Sequence, residues 1–201
     1  MTRVLIAEDQ GMMRGALATL LDLEDDLEVV AQVATGDRIV PTALEVRPDV
    51  ALLDIEMPGT TGLEAAEQLR AVLPGCVTMI VTTFGRPGHL QRALAAGARA
   101  FIVKDGPVEE LARSIRRVRA GELVIDPTLA TAAVVMGPNP LTRRERDVLD
   151  AAADGSTVDD ISGRTHLSRS TVRNYLSDAI GKTGTRNRME AVRVARDNGW
   201  L

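Results

Sequence analysis

Short apolar runs alternate with amphipathic segments over the first 120 residues of the chain. We predict buried strands at the apolar runs Val4–Ala7, Leu27–Ala34, Val50–Leu53, Thr78–Val81 and Ala100–Val103. The segments between and after them have helical patterns, at Gly11–Leu21, Arg38–Val46, Leu63–Val72, Gly88–Ala96 and Val108–Ala120. Strands separated by helices need crossover connections, which favours a parallel sheet covered on both faces. Five such units predict an α/β flavodoxin-like fold with strand order 2-1-3-4-5.

The apolar pattern changes after residue 121. The stretch Glu122–Pro140 lacks a clear period and contains helix-hostile pairs such as Asp126-Pro127 and Asn139-Pro140, which indicates a linker. Its apolar middle, Leu129–Met136, is long enough for a short helix. We therefore expect one domain over residues 1–121, a linker over 122–138 and a second domain over 139–201.

From Leu141 onward the pattern is helical throughout. Thr142 and Glu145 have the spacing of a capping box, in which a hydroxyl and a carboxylate satisfy backbone amides at a helix start. Ser168 is placed to cap a later helix. We predict four short helices, with the two middle ones joined by Thr165–Leu167 in the manner of a helix-turn-helix. The second domain is thus predicted to be small and all-α.

The composition, with 45% hydrophobic and 26% charged residues, is typical of globular proteins. No apolar run approaches the roughly 20 residues that span a bilayer. The single cysteine, Cys76, excludes an internal disulfide framework. Since the N-terminus also has no signal-like pattern, we expect a cytoplasmic protein.

The net charge of −4 is unevenly distributed. Residues 139–201 contain 11 Lys and Arg against 9 Asp and Glu, whereas residues 1–138 contain 13 against 19. An acidic first part suits a metal site, and a more basic tail suits a polyanionic partner.

Polar side chains stand at the ends of four of the predicted strands. In chain order they are Glu8, Asp9, Asp54, Thr82 and Lys104. Because the carboxyl ends of parallel strands meet at one edge, and strands 1 and 3 flank the switch point, we expect Asp9 and Asp54 to converge. Each acid alone has a simpler interpretation, as a helix cap or a solvated loop residue. Five such groups at corresponding positions favour a site.

Three carboxylates, a hydroxyl and an amine fit a divalent metal and a phosphoryl group. Mg²⁺ prefers oxygen ligands, and we expect Asp9 and Asp54 to bind it directly and Glu8 directly or through water. The backbone carbonyl of Glu56 is a further candidate ligand. With the metal neutralising local charge, the Asp54 carboxylate is placed to attack phosphorus and form an aspartyl phosphate. Lys104 and Thr82 would then bind phosphate oxygens.

This arrangement resembles the receiver domain of two-component response regulators. The tail motifs Leu141–Leu149 and Leu167–Ser177 resemble the LuxR-type helix-turn-helix, and the combination is similar to the NarL/FixJ family of transcriptional regulators. Within that family, the runs Thr82–Gly88 and Asn174–Ser177 look closest to the DesR-like branch.

The resemblance implies that a sensor histidine kinase phosphorylates Asp54. It also implies that Thr82 then moves toward the phosphate and that Phe101 turns inward. The less favoured alternative is that Phe101 is an ordinary core aromatic. The changed surface would promote a homodimer. These are the steps expected of a phosphorylation switch that regulates transcription.

The same resemblance predicts how the tail binds double-stranded DNA at a pseudo-palindromic operator. The recognition helix begins after Ser168 and lies in a major groove. The side chains predicted to face DNA are Arg169, Ser170, Thr171, Arg173 and Asn174. Lys182 and Arg186 are predicted to contact phosphates. A role in binding protein alone is the less favoured alternative.

Two enzyme classes fit the sequence less well. A dinucleotide-binding enzyme needs a glycine-rich loop after strand 1, where this chain has Ala7–Gly11 with two acids. A phosphatase of the haloacid dehalogenase kind would have a second Asp two residues after its nucleophile, where this chain has Glu56. We therefore expect a switch rather than an enzyme.

Overall fold

The computed structural model of the chain describes residues 1–83, 85–104 and 108–201, with Val108 and Glu109 described by their backbone alone. Phe84, within one of the runs that resemble the DesR-like branch, lies outside the described residues. Contacts divide the chain into two units. The first comprises Met1–Gly85 and Leu90–Thr131, and the second comprises Arg86–His89 and Ala132–Leu201.

A parallel sheet of order 2-1-3-4-5-6 lies at the centre of the first unit. Its strands are β1 (Thr2–Ala7), β2 (Leu27–Val33), β3 (Val50–Leu53), β4 (Val77–Thr82), β5 (Ala100–Val103) and β6 (Val124–Ile125). The predicted α/β fold and the order of the first five strands are confirmed. β1 and β3 are neighbours, so their carboxyl ends lie side by side at the switch point.

The strands carry apolar side chains on both faces of the sheet, and helices bury both faces. The helices up to β6 are α1 (Gly11–Leu21), α2 (Ile39–Val46), α3 (Gly62–Val72), α4 (Pro87–Ala96) and α5 (Val108–Arg119), with a 3-10 helix at Gly36–Arg38. Val4 and Ile6 belong to a core cluster with residues of α1 and α5. Leu5 and Ala7, which alternate with them, are equally buried and face the opposite side.

The segment expected to be a linker contains regular structure. Val124 and Ile125 form β6, which pairs with β5, and a helix α6 follows at Pro127–Met136. The helix matches the apolar stretch predicted to allow one. The strand has two residues, which is too short for any period to be visible in the sequence.

Four further helices form the body of the second unit. They are α7 (Arg143–Ala151), α8 (Val158–Thr165), α9 (Arg169–Thr183) and α10 (Arg188–Asp197). Their buried side chains form a separate core, which includes Val148, Ile161, Val172, Leu176 and Val192. The predicted capping box at the start of α7 is present, with both of its hydrogen bonds formed. No helix in the described part of the chain has the length and apolar character needed to cross a membrane.

Candidate functional site

The sheet itself fixes the predicted chemical residues at its carboxyl edge. The Asp54 amide donates to the Ala7 carbonyl at 3.0 Å, and the Lys104 amide donates to the Thr82 carbonyl at 2.9 Å. The ladder of backbone hydrogen bonds therefore continues past the ends of β3 and β5. Because these backbones are fixed, the side chains leave the sheet at defined positions.

Three carboxylates converge at this edge. Glu8, Asp9 and Asp54 each place a carboxylate oxygen within 4.8 Å of the others. Glu8 and Asp54 are buried, whereas Asp9 is exposed. The group is therefore reached from solvent on the side of Asp9. Three hard oxygen donors with one open side fit Mg²⁺, which usually retains several waters.

Lys104 neutralises part of the negative charge of this cluster. Its Nζ lies 2.5 Å from Glu8 Oε2 and 3.0 Å from Asp54 Oδ2. The other Glu8 oxygen, Oε1, accepts a hydrogen bond from the Gln10 amide at 3.1 Å. Both oxygens of Glu8 therefore have a partner within the protein, as do both oxygens of Asp54.

Asp54 is held by its own loop and by Lys104. Its Oδ1 accepts a hydrogen bond from the Ile55 amide at 2.8 Å. Burial raises the pKa of Asp54 above its ordinary value, more than the hydrogen bond and charge of Lys104 lower it. The charged carboxylate is thus disfavoured by burial, and a cation close to it would stabilise the charged form.

The remaining predicted receiver residues occupy different environments. Thr82 is the last residue of β4 and is buried, next to the strand that leads to Lys104. Phe101 in β5 is 1% exposed, so its ring is already inside the core. The Glu56 side chain is exposed, and the prediction for this residue concerned its backbone carbonyl.

Arg14 makes a contact with the acidic loop that the sequence pattern did not indicate. Its Nη1 donates to the Glu8 carbonyl at 2.6 Å from the first turns of α1. This residue stands at no strand end, so the reasoning that found the acids overlooks it. The sequence feature that could have indicated this contact is the position of the arginine, one helical turn after Gln10.

In the second unit, α8 and α9 form the predicted helix-turn-helix. His166, with φ of 54°, ends α8 in the left-handed conformation. Ser168 caps α9 by accepting a hydrogen bond from the Thr171 amide at 3.2 Å. The start of the recognition helix at Arg169 therefore agrees with the predicted position.

Exposed polar side chains line the first two turns of α9. Those of Arg173 and Asn174 are exposed and form no hydrogen bond or ion pair with another described residue. Arg169 pairs with Asp159 through Nε and Oδ1 at 2.6 Å. The hydroxyls of Ser170 and Thr171 lie 2.9 Å and 2.8 Å from the Ser168 hydroxyl. Arg173 and Asn174 are consequently the side chains most available to base edges.

Lys182 and Arg186, both predicted to contact phosphates, differ in their surroundings. Lys182 Nζ bonds both carboxylate oxygens of Glu145, at 2.7 Å and 2.8 Å. Burial alone would raise the pKa of Glu145, but the hydrogen bonds from Lys182 and Thr142 outweigh it and lower that pKa. Arg186 is exposed, and its guanidinium has no ion pair within the described ranges.

Comparison with known proteins places family matches on both parts of the chain. Residues 4–116 match the response regulator receiver domain. Residues 139–195 match the bacterial regulatory proteins of the luxR family. These two ranges include every predicted site residue.

Two transcriptional regulatory proteins are similar to the chain over its full length. The transcriptional regulatory protein DesR of Bacillus subtilis (strain 168) is 46% identical over 201 residues, with 100% of both chains covered. The uncharacterized transcriptional regulatory protein YvfU of the same strain is 45% identical over 203 residues, again with 100% of both covered. A solved structure of a DNA-binding response regulator of the LuxR family from Staphylococcus aureus is 39% identical, with a TM-score of 0.57. It matches 59% of this chain and 99% of its own.

Proposed function

The chain belongs to the response regulators with a LuxR-type DNA-binding domain, and we propose that phosphorylation of Asp54 controls its binding to DNA. As a member of that family, it is a regulator of transcription in a two-component system. The observation that supports Asp54 most directly is its position, buried at the tip of β3 with Lys104 3.0 Å from its carboxylate.

In the proposed reaction an Asp54 oxygen attacks the phosphorus of a phosphohistidine on the cognate sensor kinase. The new bond joins that oxygen to phosphorus, the bond from phosphorus to the histidine nitrogen breaks, and its electron pair returns to the imidazole. Lys104 is placed to bind one phosphate oxygen, and the Thr82 hydroxyl is proposed to bind another. Thr82 ends β4 and Lys104 directly follows β5, so both lie at the same edge of the sheet as Asp54.

Asp9, Asp54 and the Glu56 carbonyl would hold Mg²⁺, with Glu8 as a further direct or water-mediated ligand. The metal would supply positive charge that offsets the repulsion between the entering phosphoryl group and the carboxylates. Asp9 and Asp54 fit this role because their oxygens meet at an edge that is open on the Asp9 side.

We propose that the phosphoryl group changes the receiver surface through Thr82 and Phe101. Phosphorylation adds about two negative charges and three acceptor oxygens next to Thr82. Phe101 is buried in β5 opposite Ile80, two residues before Thr82 in β4, and a shift of Thr82 is proposed to change its packing. The resulting surface is proposed to form a homodimer, whose two DNA-binding domains match the two halves of an operator.

The DNA-contacting residues are proposed from α9 and the loop after it. Arg173 and Asn174 would bind base edges, because both side chains are exposed and can form paired hydrogen bonds. Arg169, Ser170 and Thr171 would position the helix against the backbone. Lys182 and Arg186 would add phosphate contacts at the other end of α9.

Replacing Asp9 should test the metal site without removing the phosphoacceptor. We expect Asp9→Asn to weaken Mg²⁺ binding at least about tenfold, equivalent to about 1.4 kcal/mol, because it removes one ligand charge. Glu45→Gln, a matched change of an exposed carboxylate on α2, should leave the affinity unchanged. Calorimetric titration of each variant with Mg²⁺ measures the difference. Equal effects of the two changes would show that the acidic cluster is ordinary solvated surface.

Substitutions of Lys182 and Arg186 should distinguish a loss of fold stability from a loss of phosphate contact. Lys182→Ala leaves the buried Glu145 carboxylate without its charged partner, so we expect a loss of about 1–3 kcal/mol in unfolding free energy as well as weaker DNA binding. Arg186→Ala should weaken DNA binding while leaving the unfolding free energy nearly unchanged. Denaturant titration and binding at several salt concentrations measure both quantities. Phosphate contact predicts a salt slope lower by about one unit for each variant.

The proposed function as a whole is tested by sedimentation and DNA footprinting across a genomic library, with and without acetyl phosphate. Phosphorylated protein should sediment as a dimer and protect pseudo-palindromic sites. A switch takes up one phosphoryl group per chain, whereas an enzyme releases phosphate over many turnovers. Unchanged sedimentation and footprints after phosphorylation would refute the proposed control of DNA binding.

A further inference from the structure

Asp37 holds the loop that follows Asp54 from outside the acidic cluster. Its Oδ1 accepts one hydrogen bond from the Thr60 amide at 3.0 Å and another from the Thr60 hydroxyl at 2.6 Å. Asp37 lies in the 3-10 helix after β2, whereas Thr60 lies between β3 and α3. Since β1 separates β2 from β3 in the sheet, this contact joins two loops across the end of β1.

The two loops also meet through their backbones. The Gly36 amide donates to the Pro58 carbonyl at 2.9 Å, and a Cβ at Gly36 would lie 1.5 Å from the Thr60 carbonyl oxygen. Gly59 has φ of +80°, and a Cβ there would lie 2.3 Å from Asp37 Oδ2. Glycine is therefore required at position 36 for the two backbones to approach so closely, and at position 59 for the left-handed conformation.

Asp37 has no capping role that would explain it otherwise. Thr35 precedes the 3-10 helix and Arg38 precedes α2, and neither provides a side-chain cap. The hydrogen bonds that the Asp37 carboxylate forms with described residues all go to Thr60. Its position is thus explained by the loop after β3 rather than by the helix that it precedes.

The loop after β3 is consequently fixed at both of its ends. At its base, the Gly62 amide donates to the Ile55 carbonyl at 3.2 Å, and the Ile55 amide donates to the Asp54 carboxylate. At its tip, Asp37 holds Thr60. Glu56, whose carbonyl is the proposed metal ligand, lies between the two fixed points. The direction of that carbonyl depends on the path of the loop.

We propose that Asp37 is a positioning residue for the metal site, which sets the path of the loop and so the geometry of the Glu56 carbonyl and Asp54. The inference rests on the proposed function, since it assumes that this site binds Mg²⁺. Residues that orient metal ligands without touching the metal typically affect its affinity by about 10–100-fold. Asp37 is exposed and distant from the ligands in sequence, which allows it to be replaced without altering any ligand.

The test compares the full-length chain with Asp37→Ala and Asp37→Asn. Asp37→Ala removes both bonds to Thr60 and should raise the Kd for Mg²⁺ about tenfold. Asp37→Asn keeps an acceptor oxygen and should restore most of the affinity. The rate of phosphorylation by acetyl phosphate, measured against Mg²⁺ concentration, should need more Mg²⁺ in Asp37→Ala but reach a similar maximum.

Glu45→Ala, which removes an exposed carboxylate from α2, is the matched control and should bind Mg²⁺ as the wild type does. Should Asp37→Ala fail to fold in thermal unfolding, Thr60→Ala removes the hydroxyl bond alone and should give a smaller rise in Kd. Wild-type Mg²⁺ affinity in the folded Asp37→Ala or Thr60→Ala chain would overturn the inference. So would a lower maximal rate with an unchanged Mg²⁺ requirement. A wild-type chain that binds no Mg²⁺ would refute the proposed metal site and this inference together.

Discussion

Replacement of Asp54 by alanine should reduce phosphorylation from one phosphoryl group per chain to none. Incubation with Mg²⁺ and acetyl phosphate should modify the wild type once, and peptide mass spectrometry should locate the group on Asp54. The physical reason is that Asp54 combines a buried carboxylate, the Lys104 ammonium 3.0 Å away and the neighbouring Asp9 carboxylate. A beryllium fluoride mimic should bind under the same conditions.

Two variants make that result specific to the proposed chemistry. Asp54→Asn preserves the shape and the hydrogen bond from the Ile55 amide but removes the nucleophilic carboxylate, so it should also take up no phosphoryl group. Asp25→Ala removes an exposed acid of the same domain and should be phosphorylated normally. If the phosphoryl group of the wild-type protein were found on another residue, the proposed role of Asp54 would be refuted.

The receiver fold was predictable because its strands are continuous apolar runs separated by amphipathic helices. β3 and β5 were predicted to the residue, and α1 likewise, since buried parallel strands show the strongest local pattern. β6 was missed because two residues show no period. The family resemblance and the fold class were confirmed by the full-length relatives and by the sheet order.

The acidic cluster was predictable for a different reason, namely topology. Once the order of β1 and β3 is known, the acids that follow them must be close, and Glu8, Asp9 and Asp54 do converge. The partners of these acids were not predictable in the same way. The bond from Lys104 to Glu8 joins residues far apart in sequence and depends on side-chain conformation, which no periodicity encodes.

Contacts between loops were the least predictable part of the site. Asp37 and Thr60 approach each other because Gly36 and Gly59 permit it. Each of these residue types is common in turns, so none of them alone indicates the contact. The pair between Glu145 and Lys182 was similarly invisible. The sequence predicts that Glu145 caps a helix and that Lys182 contacts a DNA phosphate. The structure shows that the capping carboxylate of Glu145 also binds Lys182.

The largest change in DNA affinity should come from coupling the receiver domain to the DNA-binding domain. Phosphorylated full-length protein should bind a pseudo-palindromic operator at least about a hundredfold more tightly than the segment 139–201. One small helix-turn-helix makes few contacts, whereas a dimer makes the second contact nearly intramolecular. Titration of labelled operator with each protein, at one fixed salt concentration, measures the ratio. Equal affinities would contradict a coupling through dimerisation.

Within that complex, Arg173→Ala should cost about 1–3 kcal/mol and relax the preference for one base pair in each half-site. Arg173 is exposed on the first turns of α9 and forms no ion pair within the described ranges, so its guanidinium is available to a base edge. Arg193→Ala is the matched control, because Arg193 is an exposed arginine of α10 that pairs with Asp197. Selection from a randomised operator pool should give a relaxed position for the first variant and the wild-type preference for the second. Intact selectivity in Arg173→Ala, together with its loss through a change outside residues 166–182, would place the recognition helix elsewhere.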